Sequence, residues 1–184
     1  MRLLPAVLFS FSLINISSAE NMDVNDAVIY RSALKTIVEH EKPAHFAVWN
    51  QTVDGSTLMA ARVPRHAPEN QFVESLAKLP ADLQTQLQRS QSAGLVPFEK
   101  TISFIDNKTL VQSNPQLLAI GFSKIAYDTQ HNALLYSEAC LVTTAAECGG
   151  EAFWFVQSAG TWKVKKHAYL WAGVSSPFWS ISTH

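Results

Sequence analysis

The chain has 184 residues, with 14 basic and 15 acidic side chains and a formal net charge of −1. That balance leaves no cationic surplus to attract a phosphate backbone, so nucleic acid is not an expected partner. The length suits one ordinary domain with a real core, in which the two cysteines would reinforce the fold without having to hold it together.

Residues 1–19 carry one basic residue (Arg2), an apolar run from Leu3 to Ile14, and small residues at Ser17 and Ala19. This is the pattern of a secretory signal peptide, with cleavage expected between Ala19 and Glu20. The apolar run is well short of the roughly 20 residues a spanning helix needs. Removing it takes Arg2 away and leaves 13 basic against 15 acidic side chains. We therefore expect a periplasmic or secreted product of residues 20–184, with no membrane span in the mature chain.

In chain order, Val24, Ala27, Val28, Ala33, Leu34, Ile37 and Val38 recur at helical steps, and the spacing predicts a long first helix capped at Asp23 or Asn25 and ended by Pro43. His45 to Val53 is rich in aromatic and β-branched residues and reads as a strand. Pro64, Pro68 and Pro80 then divide a segment whose leucines predict two short helices, at about 69–79 and 81–90. Modest strands follow around Thr101–Ile105 and Thr109–Gln112. Four β-like stretches, Leu118–Tyr127, Asn132–Val142, Glu151–Gln157 and Thr161–Trp171, are joined by short turns and so read as an antiparallel meander. The fold class is α+β: an N-terminal helix packed on a curved antiparallel sheet, with two short helices inserted in the middle. Phe153, Trp154 and Phe155 are consecutive on one strand, so both sheet faces need a cover.

Pairing Leu135 with Phe153, Tyr136 with Ala152 and Leu134 with Trp154 brings Cys140 opposite Cys148, within reach of a disulfide. Export would supply the oxidising compartment. We read the pair as a structural bridge worth roughly 2 to 3 kcal/mol by chain entropy. A metal clasp would need more soft ligands, and His131 is the only histidine close by in sequence. A redox pair would want Cys-X-X-Cys at a helix start.

Glu39, His40, Glu41 and His45 could be imagined as metal ligands, but they fall across a helix end and a proline turn, and a solvated helix terminus is the plainer account. No Gly-X-Ser-X-Gly elbow, Walker loop, dinucleotide fingerprint or His-Glu-X-X-His occurs. No metal or cofactor is expected. Glu138 reads as an exposed rim position; pointing inward, it would need a partner such as Lys163 or Lys165.

Gly121-Phe-Ser-Lys-Ile-Ala-Tyr, Asn132-Ala-Leu-Leu-Tyr, the Cys and Gly-Gly loop, and Gly160-Thr-Trp-Lys-Val resemble a group of small secreted bacterial proteins of unknown function. The resemblance covers about 55 residues, and it implies an exported α+β protein without characterised catalytic residues. The leading functional reading is a binding or interaction protein of the envelope, in the manner of an immunity or inhibitor protein, with a protein partner. Trp154, Trp171, Phe178 and Trp179 are the candidate partner or ligand surface. The rivals are a small envelope hydrolase or ligand-binding enzyme with a pocket between helix and sheet, and an assembly scaffold. A shared cavity lined by His167, Tyr136 or Glu138 would favour the enzyme, and a filled core with an exposed aromatic patch the binder.

Overall fold

The computed structural model describes residues 22–53, 76–106, 114, 116–141 and 147–174. The expected leader, most of the helix expected at 69–79, the strand expected at 109–112, and Phe178 and Trp179 lie outside the described residues. Helix α1 spans Val24–Glu41. The Asp23 carboxylate accepts the Asn25 N–H at 2.7 Å, satisfying one free donor of the first turn. At the far end Lys42 adopts a left-handed conformation, its N–H bonds the Val38 carbonyl, and Pro43 prevents continuation.

Strand β1 (His45–Trp49), helix α2 (Ala81–Gln88), and strands β2 (Phe104–Ile105), β3 (Leu117–Phe122), β4 (Ala126–Tyr127), β5 (Asn132–Leu141), β6 (Glu147–Ser158) and β7 (Thr161–Val174) follow. They form one sheet in the order β2-β1-β3-β5-β6-β7, with β4 also paired to β5. The sheet is mixed, which corrects the antiparallel expectation. β1 runs parallel to both β2 and β3. The segment that leaves β1 is long and carries α2, so the chain can return in the same direction; short turns impose antiparallel pairing only on the meander.

Within the meander the expected register holds, with Leu134 opposite Trp154, Leu135 opposite Phe153 and Cys140 opposite Cys148. The stretch expected as one strand over Leu118–Tyr127 is broken at Ser123. Phe122 faces Ser137 while Ala126 faces Leu134, so three residues oppose two and the chain bulges. Buried Ser123 stitches this bulge: its N–H donates to the Tyr136 carbonyl, its hydroxyl accepts the Tyr136 N–H, and its own carbonyl accepts the Tyr30 hydroxyl from α1. At the β6–β7 turn Ala159 and Gly160 both have positive φ, the primed geometry that matches strand twist.

The two faces of the sheet are covered by different helices. Ile29, Tyr30, Ala33, Leu34 and Ile37 of α1 pack with Phe98, Phe122, Leu135, Phe153 and Phe155 on one face. On the other, Leu83 and Leu87 of α2 pack with Trp49, Leu134, Tyr136, Trp171 and the two cysteines. Each fully buried large apolar side chain contributes roughly 1.5–3 kcal/mol, a contribution that α2 makes through Leu83 and Leu87 and α1 through a longer apolar face. Among the described residues no helix is long and apolar enough to cross a membrane.

Gly150 marks a close approach. The Trp171 indole N–H donates to the Tyr136 hydroxyl at 2.8 Å directly over it, and a Cβ at this position would overlap both groups. Gly150→Ala should therefore lower unfolding stability by about 1–3 kcal/mol, read as a shifted denaturant midpoint. Near the start of α1, burial raises the Asp26 carboxyl above its usual range, partly offset by the hydrogen bond from the Tyr127 hydroxyl and reinforced by Asp23. A raised folded value means that this contribution to stability is complete below the unfolded carboxyl pKa and is lost as pH rises through the folded one. Asp26→Asn keeps an oxygen for Tyr127 and no longer ionises, so thermal melts should favour the variant increasingly as pH rises from about 3 to about 7.

Candidate functional site

Position along the strands decides which polar side chains can meet, and three groups result. The first surrounds the cysteines. Cys140 and Cys148 are joined by a disulfide and both sulfurs are buried. Glu138 is fully buried beside them, its Oε1 3.4 Å from Cys140 Sγ, which overturns the expected exposed rim. The reason lies in register: Glu138 faces Gly121 on one side and Gly150 on the other, two positions without side chains that leave room for it inside. Of the two lysines foreseen for it, Lys165 has its Nζ 3.8 Å above the Trp154 ring and Lys163 stands opposite Val156. Glu138, Cys140 and Cys148 would be close enough to share a metal ion, but bonded sulfurs are not thiolates, and the group has no soft anionic ligand to offer.

The second group lies on the opposite face, at the C-terminal end of α1. His167 stacks flat on Phe153, and its Nε2 is 2.7 Å from Oε2 of buried Glu151. Tyr169 packs against both His167 and His40. Burial pushes the Tyr169 hydroxyl up, helped by Glu151 and Glu41. His167 is thus separated by the sheet from Tyr136 and Glu138. The space beneath α1 is occupied by its own apolar side chains.

The third group is a cleft of about 500 Å³ between the approach to α2, the β4–β5 turn and Trp154. The turn is built by Asp128, whose carboxylate accepts the N–H groups of Gln130 and Asn132 and the Asn132 side-chain amide, each at 2.8 Å. Slight burial works against ionisation there, but these donors from Asn132 and Gln130, with His131 nearby, hold the carboxyl below its usual range. Asn132 Oδ1 in turn accepts the Trp154 indole N–H at 3.1 Å. A chain of hydrogen bonds from Asp128 through Asn132 thus fixes a half-buried indole at the cleft floor, with Pro80, Asp82 and Gln130 on the walls. The fixed, amphipathic ring is suited to contact with a partner and supplies no reacting group.

Of the four aromatic residues expected at a contact surface, Trp154 lies at this cleft. Trp171 is 5% exposed and belongs to the core, because a β7 register shift beside Gly150 turns it inward over that glycine. Phe178 and Trp179 lie outside the described residues. Asp128, Asn132 and Lys165 are not among the site residues that the sequence suggests; the Asp-X-X-X-Asn spacing of a side-chain-closed turn is the signal for the first two. The Glu151–His167 pair had no such signal, because two bulges in β7 hide its register. No known protein family, curated protein or solved structure matches this chain.

Asn132→Ala should release the indole and lower stability by about 1–2 kcal/mol, with a red-shifted tryptophan emission that Trp154→Phe abolishes.

Proposed function

We propose that this is an exported binding protein that holds a protein partner of the envelope at the cleft beside Trp154. The observation that carries the reading is the Asp128–Asn132–Trp154 chain, which pre-organises an aromatic contact at an open cleft. Pre-organised aromatic side chains are the usual energetic centres of protein interfaces, because they lose little freedom on binding. The enzyme reading would gain from a deep cavity lined by polar groups such as His167, Tyr136 or Glu138, and His167 lies across the sheet from the other two. The resemblance to small secreted proteins and the leader-like N-terminus support export, which this reading requires.

A photoreactive residue at exposed Gln130 should capture one envelope protein, whereas the same residue at Lys100, on the α1 side of the molecule, should not. Trp154→Ala, folded by circular dichroism, should reduce that capture by tenfold or more, the loss of about 1.4 kcal/mol or greater. Equal capture at both positions, or capture indifferent to Trp154, would rule the reading out.

A further inference from the structure

β7 is an edge strand, and its side chains would ordinarily alternate between the faces. Val156 faces Lys163 and Trp154 faces Lys166, so both lysines share the α2 side of the sheet with Trp154. Between Lys166 and Val164 the register shifts by one residue, and the residue passed over is Lys165. That bulge sets its ammonium over the Trp154 indole. Regular alternation would have divided these cations between opposite faces; the bulge puts Lys165 over Trp154 and leaves Lys163 and Lys166 on that same face. None of the three forms an ion pair among the described residues. The carboxylates on the neighbouring cleft, Asp82 and Asp128, do not bond them, and Asp128 is already engaged by three N–H donors.

We propose that Lys163, Lys165 and Lys166, with Trp154, form a patch that docks the protein on an anionic lipid surface. Unpaired cations in a cluster call for an anionic partner. Lysine is depleted in protein interfaces, whereas headgroups of an anionic bilayer attract it and an amphipathic indole suits the boundary. The competing account is that the lysines only keep the edge strand from pairing with other chains. The two differ in what the lysines bind. The patch shares Trp154 with the cleft but stands on the three lysines, which the cleft reading does not use.

Co-sedimentation of the purified protein with vesicles tests it. Phosphatidylcholine vesicles containing about one quarter phosphatidylglycerol should bind the protein at about 20 mM salt and release most of it at about 300 mM, while pure phosphatidylcholine should bind none. Lys165→Gln should lower the partition coefficient about fivefold, and the triple glutamine variant about a hundredfold, with Lys100→Gln unchanged. No partition at low salt, equal partition into neutral vesicles, or an unaffected triple variant would each overturn the proposal. So would a triple variant that merely self-associates while the wild type ignores anionic vesicles, the outcome that edge protection alone requires.

Discussion

Three consecutive large side chains, Phe153, Trp154 and Phe155, impose the condition from which the rest of the architecture follows. Successive residues of a strand point to opposite faces, so neither face of β6 can be left wet without exposing a large ring. One helix cannot cover both. The chain meets the condition with α1 on one side and α2 on the other, and β6 lies inside a three-layer arrangement with Phe153 and Phe155 fully buried. Trp154, on the α2 side, stays half-buried at the margin of the covered area, where its indole N–H needs a partner and finds Asn132. The same condition that builds the core therefore leaves one ring at the cleft.

The polar interior is organised by absence of side chains as much as by their presence. Gly121 and Gly150 flank Glu138, and Gly150 lets the Trp171–Tyr136 hydrogen bond cross a strand. On the α1 side, buried Glu151 is met by His167, which Phe153 holds flat. The sheet separates the Glu138 group from the Glu151–His167 pair.

Local signals were readable in the sequence where one interaction dominates. The apolar spacing of α1, its Asp23 cap and the Pro43 stop each act on the turn or two of chain beside them, and the structure has the helix at Val24–Glu41. The β5–β6 register follows from a short connection and the opposing cysteines. What depends on distant pairing was not readable. The parallel placement of β1 is decided by where a long connection returns, and no residue in β1 announces it. The bulges at Lys165 and at Ser123 move side chains between faces without a glycine or proline to mark them, and the third is flanked by a glycine only on the partner strand, at Gly150. Trp171, which the sequence places at a surface, is consequently in the core, and Glu138, which it places at a rim, is buried between Gly121 and Gly150. At the cleft, Trp154 was legible as an aromatic excess, while the turn that fixes it required knowing that Asp128 and Asn132 close on each other.

Because Cys140 and Cys148 are sealed between the sheet and its α2-side cover, an oxidant can reach their thiols only while that layer is still open. Timing during maturation is therefore constrained: oxidation must come before the final closure of the body. A chain that closed first would keep two sulfhydryls that small reagents could touch only after it opened again. The redox history of each molecule would then be recorded at the moment of closure and carried unchanged for as long as the layers stay shut.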